Sequence, residues 1–214
     1  MVLWYNHDES EVSLLVRPIY IIPRDSGVLR ARSTRVRSVR EGSAVIQDLI
    51  DTWPTVAAHG IAAPQIGVNR RLFVYRPYED EDDVPPTGLM NPKIIKASGE
   101  VMDFDGCLSV PGLYGQTRRA ERIVVSADAS DGTPVRLKFE GFTARIVQHE
   151  IDHLEGVLFI DRLDTVDDLY TVAEEVPEEG EGGEPKLVRV PLTDEARGLI
   201  LREQRPIPGH ALHW

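Results

Sequence analysis

IVQHEIDHLEGVLF, residues 146–159, places two histidines, His149 and His153, four residues apart, with Glu150 directly after the first. Phe142, Ile146, His149 and His153 fall at i, i+4, i+7 and i+11, which is one stripe of an α-helix. That period predicts a helix from Gly141 to about Leu154, closed by Gly156, with both histidines on its buried face. Imidazoles four apart on a helix project side by side, so both can bind one tetrahedral ion, and the adjacent carboxylate can reach a water beside it. The same pentapeptide also reads as two hydrogen-bonded histidines on a buried stripe, and the pattern alone leaves both readings open.

A catalytic site of this kind needs a third protein ligand and an open position. The extended zinc-protease pattern HExxHxxGxxH fits as far as Gly156, but Phe159 stands where its third histidine belongs. A glutamate some twenty residues further on would fall in or near the acidic stretch 173–186, where nothing fixes its geometry. The remaining strong ligand is Cys107, the single cysteine, within the turn-like DFDGCLSVPG at 103–112. A lone cysteine excludes an intramolecular disulfide, so Cys107 is either a buried small hydrophobe or a thiolate with chemistry to do.

The rest of the chain frames this element. With 214 residues, 42% of them apolar, it holds one well-buried core plus a small appendage. The expected division is a metallohydrolase-sized domain at 1–170, an acidic Gly/Pro-rich linker or loop at 171–187 and a C-terminal tail at 188–214. In that tail a short strand precedes a short helix from about Thr193 to Glu203, capped by Thr193. Twenty-four basic against 35 acidic side chains give a formal charge of −11, which disfavours nonspecific binding to DNA or an anionic membrane. The opening MVLWYNHDES carries acids and no basic start, and no apolar run approaches membrane-spanning length; a soluble, cytoplasmic protein is expected.

Charge is unevenly spread. Six glutamates and one lysine lie in AEEVPEEGEGGEPK (173–186), and EDEDD at 79–83 reads as the exposed tip of a strand connection. Arg30, Arg32, Arg35, Arg37 and Arg40 form a local basic patch. Ile46, Leu49, Ile50 and Trp53 predict a helix over about 43–58, broken by Pro54 and followed by the tight loop GIAAPQIG. RLFVYR, KIIKA, RIVVSADA and VRLKFEG read as strands, the last two joined in a hairpin through SDG.

Three segments, in order along the chain, resemble the peptide deformylase family: GIAAPQIG (60–67), DGCLS (105–109) and QHEIDHLEG (148–156). IIPRDSGVLRARSTRV (21–36) is also similar, so the resemblance covers roughly residues 17–165. It implies an α+β fold with antiparallel strands packed around a central helix that carries the two histidines. It also implies a hydrolase that removes formyl groups from N-formylmethionyl peptides, with transient ribosome contact. One divalent ion, ferrous iron in many members and zinc or nickel in others, would be held by Cys107, His149 and His153. Glu150 would shuttle the proton, while the side chain of Gln65 and the backbone N–H of Leu108 would face the oxyanion. Gly60 and Ile61 would meet the substrate backbone; taken without the other segments, Gln65 reads as a loop amide satisfying its own turn.

The chain departs from the family's pattern at Ala58 and His59, at Asp105 in place of a glutamate, and at Arg145 where an apolar pocket residue is expected. His59 and Arg145 would narrow or polarise the pocket mouth; alternatively the Arg145 stem packs and its head reaches water. Asp152 is expected to support a ligand or pair with an arginine such as Arg119. Two other functions are consistent with these features: a paralogue acting on another formylated or small N-acyl substrate, and a metal-binding protein without catalysis.

Overall fold

The computed structural model describes residues 16–78, 84–175 and 186–207. The acidic cluster 79–83, most of the stretch 173–186 and both chain ends lie outside the described residues. A single turn, α1 (Ser26–Leu29), precedes α2 (Val39–Thr52). Ser38 caps α2, its hydroxyl accepting the Glu41 N–H at 3.3 Å, so the helix starts earlier than its apolar period predicts. It ends at Thr52 because Pro54 has no N–H to continue the ladder, and a 3-10 turn over Trp53–Thr55 follows.

Nine strands are found among the described residues, and every pair is antiparallel. One sheet runs in the order β1 (Gly60–Ala62), β2 (Leu72–Tyr75), β3 (Thr87–Ser98), β6 (Arg122–Ala129), β7 (Pro134–Glu140). The second is β4 (Val101–Cys107), β5 (Val110–Arg119), β8 (Leu169–Glu175), β9 (Lys186–Pro191). The β6–β7 hairpin turns through Ser130–Gly132, where Asp131 accepts the Thr133 N–H at 2.8 Å.

The long helix α3 (Gly141–Glu155) runs where the period places it and closes on Gly156 at φ 75°. A Cβ at Gly156 would lie 2.5 Å from the Arg30 carbonyl oxygen, so this left-handed position also allows two backbones to meet. Beyond the single stripe expected, every residue from Thr143 to Leu154 is buried. Ala144, Val147, Ile151 and Leu154 pack against Phe73, Leu89, Ile123 and Val125 of the five-stranded sheet. The opposite, polar side meets β4 and β5 through ion pairs, which keeps water from it as well.

The described C-terminal residues pack against the rest of the fold. Residues 171–175 and 186–187 are strand, and β8 joins β5 at Tyr114↔Tyr170 and Gly115↔Leu169. The helix α4 (Asp194–Glu203), capped as expected by Thr193, docks Ala196 and Ile200 on a cluster with Val110, Leu158, Phe159 and Ile160. Gln204 Nε2 donates to the Ile160 carbonyl at 2.7 Å, and buried Arg30 bridges Asp161 and the Glu203 carbonyl. The apolar residues responsible are spaced too irregularly to signal burial in the sequence.

Leu169, 1% exposed, joins this cluster to the hairpin that ends in Cys107. Leu169→Ala is therefore expected to lower the unfolding free energy by about 3 kcal/mol in urea denaturation. A change under about 0.5 kcal/mol, typical of surface sites, would mean that β8 is only loosely attached.

Candidate metal centre

The i, i+4 spacing on α3 sets the His149 and His153 rings 4.9 Å apart, with their planes inclined at 74°. Cys107 reaches them from the other sheet. The sequence suggests a loop here, but β4 continues to Cys107, which faces Val110 across the two-residue turn Leu108–Ser109. Its Sγ lies 3.2 Å from His153 Nε2, and one donor atom from each of Cys107, His149 and His153 lies within 4.8 Å of the others. One thiolate and two imidazoles this close suit a single borderline-soft divalent ion.

The electrostatics suit the same reading. Burial pushes the Cys107 thiol up, but His153 and His149 beside it prevail and draw it down to about 5. Burial would push protonated His149 down, but Asp105 overcomes this and holds it well above the usual imidazole range. That is a place where a cation is welcome, and a metal ion can take the position of the imidazolium proton. Burial raises the Glu150 carboxyl to about 7 against the downward pull of both histidines. Among the described residues, Glu150 Oε2 and His153 Nδ1 are buried without a hydrogen-bond partner, an arrangement that folded proteins seldom leave unused.

Around this centre is a buried polar network. His149 Nδ1–H donates to Asp105 Oδ1 at 2.8 Å, so when the ring gives up its other proton to an ion, Nε2 carries the lone pair. Arg119 donates Nε and Nη2 to Asp105 Oδ2 at 2.8 and 2.7 Å, and Nη1 to Asp152 Oδ2 at 2.8 Å. The expected Arg119–Asp152 pair is thus present, with Arg162 adding two bonds of 2.5 Å to Asp152. Arg145 does not send its head to water. It is 4% exposed, with Nη1 donating to Thr117 Oγ1 at 2.8 Å and Nη2 to the carbonyls of Val101 and Thr117 at 3.0 Å.

A cavity of about 450 Å³ opens onto the centre, within the usual range for small ligands. His59, Gly60, Gln65, Leu108, Arg145 and Glu150 all contribute to its wall. Ile61 does not: strand alternation turns its side chain into the core, fully buried beside Leu72 and Val74. Gln65 Oε1 accepts the Ala62 N–H at 2.8 Å, so its own turn is satisfied as one reading expects. The same bond fixes which end of the amide faces inward, and Nε2 lies 3.3 Å from Ser109 Oγ and 3.7 Å from Cys107 Sγ. A Cβ on Gly60 would lie 2.3 Å from Glu150 Oε1, so only glycine lets β1 approach the carboxyl this closely.

Several residues of the site were not expected from the sequence. Thr117 shares a strand face with Arg119, two residues on, and that alternation was the available signal. Tyr78, Phe104 and Phe142 form an aromatic wall, with neighbouring centroids 4.7 and 5.0 Å apart, and His59 stacks obliquely on Tyr78 at 5.1 Å. These rings come from four separate elements, so no local pattern joins them.

The chain is also similar to known proteins. The family profile described as Polypeptide deformylase matches residues 16–168. A peptide deformylase of Thermomicrobium roseum is 44% identical over 169 residues, covering 75% of this chain and 94% of that protein. One from Dehalococcoides mccartyi is 38% identical over 170 residues, covering 78% and 98%. The crystal structure of peptide deformylase from Thermus thermophilus superimposes with a TM-score of 0.64 at 39% identity, covering 69% of this chain and 86% of that one.

Proposed function

The chain belongs to the polypeptide deformylase family, and on that premise we propose how its own residues carry out the family's reaction. The protein is a metal-dependent hydrolase that removes the N-terminal formyl group from N-formylmethionyl peptides of newly made proteins. The observation that carries the residue assignment is the convergence of one sulfur and two imidazole nitrogens within 4.8 Å at the floor of a cavity.

Cys107, His149 and His153 hold one divalent ion. Ferrous iron is proposed as the native ion, in line with many members of the family, and zinc and nickel as ions the same donors accept. When bound, the ion supplies Lewis acidity that makes water a nucleophile near neutral pH. Glu150, whose buried Oε2 has no hydrogen-bond partner among the described residues, takes the proton of the attacking water and passes it to the departing amine. A C–O bond forms at the formyl carbon, the C–N bond breaks, and formate and a free amino terminus leave. Gln65 Nε2 and the Leu108 N–H donate to the developing oxyanion from opposite loops. Gly60 offers the β1 backbone to the extended substrate, and Ile61 takes part only through its backbone. His59 and the aromatic wall line the approach to the site.

The reading of a paralogue with a different substrate loses one of its supports. Arg145 commits three of its five N–H groups to Thr117 and Val101, so its guanidinium is held by the protein rather than left free for a substrate. A protein without catalysis would have no use for an unpartnered buried carboxylate at this point. We place the reaction in the cytoplasm with transient contact to the ribosome, where formylated chains emerge; no helix among the described residues is long and apolar enough to cross a membrane.

Protein purified without oxygen is expected to contain close to one transition-metal ion per chain and to favour formyl-methionyl peptides over formyl peptides with other first residues. Rates equal to or higher on the latter would overturn the substrate assignment.

A further inference from the structure

Among the described residues Asp105 Oδ1 is hydrogen-bonded to His149 alone, whereas Oδ2 accepts two N–H bonds from Arg119 and the Thr117 hydroxyl at 2.8 Å. The ionised carboxylate only accepts, so the Thr117 hydroxyl donates that last bond. Arginine has five donors and no acceptor, and a threonine hydroxyl has a single proton. Arg145 Nη1, 2.8 Å from Thr117 Oγ1, therefore occupies the hydroxyl's lone pair and holds the hydroxyl in place with its proton on Asp105. Arg145 is itself pinned by the carbonyls of Val101 and Thr117, on the two strands at the open end of the β4–β5 hairpin. All five residues, Asp105, Thr117, Arg119, Arg145 and His149, are buried. Bonds are strongest, and misdirected ones most harmful, where water cannot intervene.

We propose that Arg145 and Thr117 are positioning residues for the metal centre: the relay Arg145→Thr117→Asp105 fixes the carboxylate, which in turn aims the His149 ring at the ion. The chain uses Arg145 to orient a ligand, not to read the substrate. Two features of the sequence, the short carboxylate at Asp105 and the cation at Arg145, become parts of one device, since Arg145 Nη1 stands 3.8 Å from Asp105 Oδ2 with Thr117 filling the gap. The inference rests on the assignment of His149 as a ligand, so its test separates the two.

Co2+ serves as the probe, because its visible absorption reports ligand geometry and its sulfur charge-transfer band reports Cys107. Affinity is measured by competition with a chelator. Arg145→Met keeps the stem and removes the donors; Thr117→Val replaces the hydroxyl at nearly constant shape and keeps the test alive if Arg145→Met does not fold. Each is expected to weaken Co2+ binding about tenfold, the lower end for outer partners of metal ligands, and to shift the visible bands. The double variant is expected to be no weaker than either single one, since one chain of bonds is broken in each. Thr117→Ser is expected to restore both affinity and spectrum.

Unchanged affinity and spectrum in both single variants, with the sulfur band intact in the wild-type protein, would overturn the relay alone. A raised KM as the sole effect of Arg145→Met would do the same and return Arg145 to the substrate. Absence of the sulfur band from the wild-type protein would overturn the ligand assignment and the relay with it.

Discussion

Glu150→Gln is expected to lower kcat/KM on a formyl-methionyl peptide by about a thousandfold or more, with metal content unchanged. The carboxyl is 3% exposed and Gly60 is pressed against it, so an amide of the same shape keeps the packing. What it removes is the group that accepts a proton from water and hands it to the amine. The loss should appear in kcat, with KM little altered, because the missing interaction belongs to the transition state. Stability should not fall, since Oε2 is already a buried atom without a partner. Turnover within tenfold of wild type in the metal-loaded variant would exclude Glu150 as the proton carrier.

Cys107→Ser is expected to weaken metal binding by more than about a hundredfold, exceeding the effect of losing an outer partner, and to abolish turnover at ordinary metal concentrations. A serine hydroxyl is not deprotonated near neutral pH and is a hard, weak ligand, whereas the Cys107 thiol is drawn down to about 5 by the two histidines. The fold should persist, because the β4–β5 ladder is made by the backbone on either side of this position. Chelator competition followed by an activity assay checks both halves. Retention of tight binding would mean that the third ligand lies elsewhere.

Much of the centre is legible in the chain because its key distances are short in sequence. His149 and His153 are fixed by the helical repeat, Gly156 by the left-handed stop, and Gln65 by the turn whose Ala62 N–H it accepts. Cys107 follows from the resemblance and from the want of another strong donor. What could not be read depends on strand pairing. Thr117 and Asp105 are partners only because β4 and β5 fold back in one register, and this brings Arg145 a buried acceptor instead of a route to water.

The pairing around the acidic stretch was not legible for a related reason. Composition suggests a solvated linker or loop there; that the flanking strands pair with each other, and β8 with β5, is an arrangement made by backbone groups that composition does not report. Ile61 shows the smallest scale of the same effect. It lies next to Gly60 in a matching motif, but a period of two sends adjacent side chains to opposite faces.

The central claim is that one ion sits between Cys107, His149 and His153. X-ray absorption at the metal edge of the anaerobically purified protein tests it most directly, because Cys107 is the only cysteine in the chain. The expected spectrum contains one sulfur at about 2.3 Å and two imidazole nitrogens at about 2.1 Å, with the sulfur lost in Cys107→Ser. A wild-type spectrum of oxygen and nitrogen alone, or a sulfur that survives the substitution, would contradict the account.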